Sequence, residues 1–190
     1  KTVSLEYYDG SAWHTIATGV NATDESYQWD TTGFPDSFAA YWRVVAEDAS
    51  GTSDQTDHPF QLRNHTHKFF VNDSSLLGDL YCTAVGSDSN SGLSNSAPKA
   101  TLQAILDAYD LEGGDTVYVD TGTYASTSDV KVIWSRSGNQ TADVVIRGNT
   151  NDPYATQLVR LGQTNYPAMG LDVKASRIRL TDFSISGVNR

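Results

Sequence analysis

Cysteine is nearly absent. Cys82 stands alone in 190 residues, so no internal disulfide can close and stability must come from packing. This suits a cytosolic protein, and equally a secreted bacterial or archaeal one that avoids cysteine. Glutamate is scarce too: of 23 acidic residues only Glu6, Glu25, Glu47 and Glu112 are glutamates. Cations are few, with 13 Lys and Arg and a formal net charge of −10. A surface of that sign repels phosphate backbones, which excludes nucleic acid as a partner. No run approaches the ~20 apolar residues of a membrane span. The stretch KTVSLEYYDG lacks the basic-then-apolar layout of a signal peptide, so any export address is expected outside this sequence.

What is abundant is aromatic and turn chemistry. Ten Tyr, six Phe and four Trp argue against disorder, which is aromatic-poor. Asp, Asn, Ser, Thr and Gly are turn formers, because short polar side chains bond their own backbone. The composition therefore reads as many short strands joined by polar turns, in one domain or two.

Val3, Leu5 and Tyr7 alternate with polar neighbours, the period of a half-buried strand, and Asp9-Gly10 then marks a hairpin turn. Further strands are expected over 13–17, 27–29, 41–46 and 60–62. Before residue 70 no window has helical spacing. Beyond it, Leu102, Ile105, Leu106 and Tyr109 fall at i, i+3, i+4, i+7 behind a Thr101 N-cap, with Gly113-Gly114 as a stop. Short β-rich runs follow at 116–119, 130–134, 144–147, 157–161, 170–173 and 178–185. No helical pattern between them would supply the crossovers of a doubly wound sheet.

Two resemblances enter on these residues. VSLEYYDGSAWHTIATG, SYQWDT and YWRVVAEDASGTSDQTDHPFQL resemble the later strands of an immunoglobulin-like or fibronectin type III-like module of bacterial or archaeal extracellular proteins. In that family one or two strands precede the segment starting at Val3. GSDSNSG, PKATLQAILDAY and GGDTVYVDTGTY, then DVVIRGN and SRIRLTDFSISGV, resemble the start of a right-handed parallel β-helix of the pectate-lyase-like kind. The fold this implies is all-β: a partial β-sandwich over 1–66, a linker over 67–78, and over 79–190 the N-terminal cap helix and first coils of a truncated β-helix. An unfinished solenoid leaves an apolar cross-section and open strand edges, which a continuing chain or a neighbouring subunit would cover.

Several residue groups are candidates for chemistry. Arg147, Arg160, Arg177, Arg179, Lys131 and Lys174 are of the type a uronate lyase needs, but match no catalytic motif, and solvated cations on strand faces explain them. The loop 86–92 offers Asp88 and Asn90 for Ca²⁺, the one cofactor the sequence suggests, although it lacks the closing Glu of an EF-hand. A turn held by Asx and Ser hydrogen bonds accounts for the same residues. Asp110, Glu112 and Asp115 read as helix-end and turn chemistry, and the pair His65/His67 as part of a solvated linker. Trp134, Tyr154 and Tyr166 are candidate sugar-stacking platforms, whereas Trp13, Trp29 and Trp42 are expected in the sandwich core. Sequons stand at Asn21, Asn64, Asn72 and Asn139 and would carry glycans in a host with that machinery.

The function expected is that of an extracellular or cell-surface structural or carbohydrate-associated module, part of a larger protein or a self-assembling surface fibre. Its partners would be polysaccharide or neighbouring subunits. The alternative is a fragment of a secreted polysaccharide lyase or other glycan-degrading enzyme whose catalytic coils lie beyond residue 190.

Overall fold

The computed structural model describes residues 1–133, 142–161 and 170–187. The chain is of the all-β class, with one short helix among the described residues, and it divides into two compact units, Lys1–His65 and Thr66–Arg190.

The first unit is antiparallel. β1 (Thr2–Tyr8), β2 (Trp13–Asn21), β3 (Ser37–Ala46) and β4 (Ser53–Gln55) form a sheet in the order β2-β1-β3-β4, and β5 (Phe60–Leu62) pairs the start of β3. The turn between β1 and β2 is built by Asp9, whose Oδ1 accepts from the Ser11 N–H, the Ala12 N–H and the Ser11 hydroxyl, while Gly10 takes φ +102°. Tyr7, Ala40 and Leu62 are buried at the centre, with Ile16, Trp29, Phe34 and Phe60 packed around them. The Tyr7 ring meets Trp29 at 5.2 Å and Phe34 edge-on at 5.9 Å, and its hydroxyl donates to the Pro35 carbonyl at 2.9 Å.

Two expectations fail here. Residues 27–29 form no strand; they run unpaired and contribute Trp29 to the core by side-chain packing alone. Of the tryptophans expected in that core, Trp13 instead lies under the Arg43 guanidinium at 4.0 Å, and Trp42 is 41% exposed.

The second unit is parallel. It comprises β6 (Lys68–Val71), α1 (Leu102–Ala108), β7 (Thr116–Val119), β8 (Gly122–Ser126), β9 (Val130–Ile133), β10 (Val144–Arg147), β11 (Thr156–Arg160), β12 (Leu171–Lys174), β13 (Ile178–Thr181) and β14 (Ser184–Gly187). Three sheets are visited in rotation. β7, β10 and β13 are successive neighbours in one that β6 extends, β8, β11 and β14 in a second, and β9 and β12 in a third. Side chains therefore stack in register: Phe69, Val117, Ile146 and Leu180 in the first sheet, Tyr124, Leu158 and Ile185 in the second, Val132 and Val173 in the third.

The stretch 67–78, expected as a linker, contains β6 and belongs to this sheet. Its polar composition hides two fully buried residues, Phe69 and Val71. The run 178–185 is two strands rather than one, separated by a corner where Asp182 takes φ +62°. α1 starts as its sequence dictates, with the Thr101 hydroxyl accepting from the Ala104 N–H and with Leu102 and Ile105 buried. It ends at Tyr109, before the Gly113-Gly114 pair.

Candidate functional site

Between β6 and α1 lie thirty residues without regular strands, 72–101, whose backbone groups are satisfied in part by one another, as in the Gly86 N–H to the Asp73 carbonyl at 2.8 Å, and in part by polar side chains, several of them buried. Asp120, fully buried just after β7, accepts from the Leu80 N–H (2.7 Å), Tyr81 N–H (2.8 Å), Cys82 N–H and Thr121 N–H (2.8 Å). Such a cradle is a charged acceptor matched to a cluster of donors. Beside it Asp79 is half-buried; its Oδ2 accepts from Asn72 at 2.6 Å, but its buried Oδ1 has no partner. Burial pushes the Asp79 carboxyl up, and the neighbouring Asp120 and Asp73 charges add to the rise. Burial likewise raises the Cys82 thiol and the Tyr124 hydroxyl, which keeps both in their neutral forms.

The loop suggested for Ca²⁺ already holds a cation of its own. Lys99 is 8% exposed, and its ammonium donates to the backbone carbonyls of Asp88 and Asn90, each at 2.8 Å. The Asp88 carboxylate turns to the start of α1, accepting from the Ala100 N–H, the Thr101 N–H and the Thr101 hydroxyl. The Asn90 amide is spent on the Pro98 carbonyl at 2.9 Å. Asp88 and Asn90 are therefore structural, and among the described residues no three His, Cys, Asp or Glu side chains gather for a metal. In the first unit His65 bonds Asp36 at 3.2 Å, and in the second the His67 ring lies 6.2 Å from that of Phe69.

Two sequons are corrected by burial. Asn72 is fully buried with its amide nitrogen donating to Asp79 and to the Ala84 carbonyl, and no glycan reaches it in the folded chain. Asn64 is half-buried and its amide clamps a loop by donating to the Thr31 and Phe34 carbonyls, at 2.8 and 3.0 Å. Asn21 is exposed at the end of β2 and touches the Thr23 N–H through Oδ1 alone. Asn139 lies outside the described residues.

Of the sugar-stacking candidates, Trp134 and Tyr166 also lie outside the described residues. Tyr154 is 77% exposed on the turn before β11, which Asp152 holds by accepting the Tyr154 N–H. The cations considered for lyase chemistry are largely ion-paired: Arg160 with Asp129 (2.9 Å), Arg179 with Asp143 (3.2 Å), Lys174 with Asp172 (3.1 Å). Asp115, fully buried, accepts from the His67 and Glu112 N–H groups, which makes it turn chemistry.

Two apolar features remain, the first missed by the sequence reading and the second expected from it as the open end of an unfinished solenoid. The first is a groove of about 630 Å³ in the first unit, floored by Val3, Leu5, Ile16, Val20 and Val44, walled by Tyr27, Trp29 and Trp42, and rimmed by Asp24 and Glu25. Alternation did place Val3 and Leu5 on one face, but burial of that face was assumed. The second is a gradient of exposure along the stacked side chains of the second unit. Phe69, Val117, Ile146 and Val132 are fully buried and Leu158 is 4% exposed, whereas Leu180, Val173 and Ile185 are 36, 40 and 48% exposed.

No family model, curated protein or solved structure matches the chain. Among the described residues no helix is long and apolar enough to cross a membrane.

Proposed function

We propose that the second unit is the capped start of a right-handed parallel β-helix of the pectate-lyase-like kind, and the first a partial immunoglobulin- or fibronectin type III-like sandwich. Together they would serve as an extracellular or cell-surface structural, carbohydrate-associated module within a larger protein or a self-assembling surface fibre. The observation that carries this reading is the rotation of parallel strands through three sheets with their side chains stacked in register. The same stacked positions are sealed on one circuit and open on the last, in all three sheets at once. On the first circuit the edges are met by the chain itself: β6 pairs β7, Gln103 of α1 accepts the Lys131 N–H of β9 at 2.7 Å, and Asp73 abuts Gly122 of β8. Stacked parallel coils of this kind are extended by further coils, of the same chain or of a neighbour, laid on their open edges. The ion pairing of Arg160, Arg179 and Lys174 favours structure over lyase chemistry.

Sedimentation velocity over a wide concentration range, with negative-stain imaging, tests this. The expected result is association that a Val173→Glu, Leu180→Glu, Ile185→Glu triple variant abolishes. A chain that stays monodisperse at millimolar concentration, or that associates equally well with the three glutamates, overturns the self-assembling fibre and leaves the module of a larger protein, which the presence of further coils in the natural polypeptide tests. Carbohydrate association is tested separately by glycan binding of Tyr154→Ala, which is expected to weaken it.

A further inference from the structure

The outer face of the first unit's sheet carries the strongest unassigned feature. Trp29, Phe34 and Phe60 pack with Tyr7 on one side of that sheet, so Glu6 and Tyr8, which flank Tyr7 along β1, point to the other. Cross-strand register sorts this polar side into two rows. Trp13, Tyr8 and Tyr41 face one another across β2, β1 and β3, and Glu6, Arg43 and Gln55 form the next row across β1, β3 and β4. Contacts between the rows hold the rings in place: Tyr8 and Trp13 meet at 5.2 Å, the Arg43 guanidinium lies 4.0 Å from the centre of the Trp13 ring, and Arg43 Nε donates to the Glu6 carboxylate at 2.6 Å. The three rings are partly exposed and Gln55 is exposed.

Chemistry narrows the occupant. β1 and β3 are inner strands, paired on both sides, so a ligand on this face meets side chains and no free backbone ladder, which disfavours an added peptide strand. Glu6 offsets the Arg43 charge within a chain of net charge −10, and that sign disfavours an anion and a second copy alike. What remains is aromatic surface beside planar polar groups. Among the described residues the Arg43 guanidinium makes its one hydrogen bond through Nε, which leaves both Nη groups open as donors, and the Gln55 amide has no side-chain partner. Aromatic rings accept the C–H face of a sugar, and such open donors and acceptors take its hydroxyls. Three strands at ~4.8 Å spacing make the aromatic row about 10 Å long, a length that suits an oligosaccharide better than a single sugar.

We propose that this face binds a neutral polysaccharide, with sugar rings on Trp13, Tyr8 and Tyr41 and hydroxyls on Arg43 and Gln55; the inference rests on the carbohydrate association proposed above and gives it a location in the first unit. The probes are cellohexaose, xylohexaose and mannohexaose, with hexagalacturonate as an acidic counterpart, titrated into the full chain. Nitrogen–proton correlation spectra follow the Trp13 indole and Arg43 Nε signals, and calorimetry follows the affinity. At least one neutral hexamer is expected to move both signals saturably and to bind about fivefold more tightly than hexagalacturonate. Trp13→Ala should weaken that hexamer about tenfold. Gln55→Ala, an exposed change expected to retain the thermal transition of the chain, should weaken it about threefold. Tyr154→Ala, in the second unit, should leave the Trp13 and Arg43 shifts unchanged. The proposal is overturned if no neutral hexamer moves the two signals by millimolar concentration, if hexagalacturonate binds as tightly, or if Trp13→Ala and Gln55→Ala both bind as the parent does. Heat of binding that Tyr154→Ala alone removes would overturn this site and keep carbohydrate association in the second unit. Absence of heat with every probe would overturn both.

Discussion

The two units solve one problem, satisfying a β backbone in a chain without disulfides, in opposite ways. The first uses antiparallel neighbours and an aromatic cluster around Tyr7, and Ser37 is the polar residue named among its buried ones. The second uses parallel strands whose long connections carry many backbone groups with no ladder partner, and it buries Asp115, Asp120, Asn72 and Lys99 to meet them. Parallel architecture here moves polar chemistry inward. Its buried charges are the structural counterparts of turns, and a cluster of them is no sign of catalysis.

That comparison breaks first at Tyr7. Tyr7→Ala removes the ring that touches Trp29, Phe34 and Phe60, and is expected to cost about 3–5 kcal/mol. Hydrogen exchange read by mass spectrometry should show protection lost across 1–65. Protection that survives there would mean the aromatic cluster is not what holds the first unit.

In the second unit the corresponding position is polar. Asp120→Ala leaves the Leu80, Tyr81, Cys82 and Thr121 N–H groups without their acceptor, a loss of about 3 kcal/mol or more. Exchange should rise around 79–83 and through β7 with little change in the first unit. A variant as protected as the parent would show that water replaces the carboxylate at no cost, and that the buried charge is incidental.

Local signals were legible in the sequence and non-local ones were not. The Asp9-Gly10 turn, the Thr101 cap and the strands 60–62, 116–119 and 144–147 are each fixed within a few residues of sequence, and the structure has them. β6 was missed because Phe69, Phe70 and Val71 form an unbroken apolar run of three, too short to show a strand period, between the polar Lys68 and Asn72. The Asp88 loop was ambiguous because a calcium loop and an Asx turn share a composition. What decides between them is Lys99, eleven residues away in sequence and 2.8 Å away in space. Sequons report a three-residue pattern and carry no information on burial, which is why Asn21 and Asn72 looked alike. The Asp120 cradle spans forty residues of sequence to Leu80, and no local pattern announces it.

Lys99→Met sharpens the role of buried charge. It keeps the packed stem and removes the donor to the Asp88 and Asn90 carbonyls, so a loss of about 1–3 kcal/mol is expected, with exchange rising over 86–101. Calcium added to the parent chain should leave that segment's protection unchanged, because the ammonium already occupies the carbonyls. Protection that increases with calcium would restore the loop as a metal site.

The smallest effect expected is at Asp79, where the second unit has a charge it does not fully satisfy. Burial and the adjacent Asp120 and Asp73 carboxylates raise this carboxyl above its ordinary value of 3.8, so the folded chain holds the proton more tightly than the unfolded one. Folding stability from this group is therefore greatest below the unfolded value, falls as pH rises through the folded one, and stays reduced at neutrality. Asp79→Asn removes that titration and retains an oxygen for the Asn72 amide. The variant should gain on the parent as pH rises from 3 to 7, with the two melting temperatures closest in acid. A gap that is constant with pH would place the unpartnered Oδ1 in contact with solvent. It would also remove the one asymmetry in which the parallel unit, unlike the antiparallel one, buries a carboxylate oxygen without a donor.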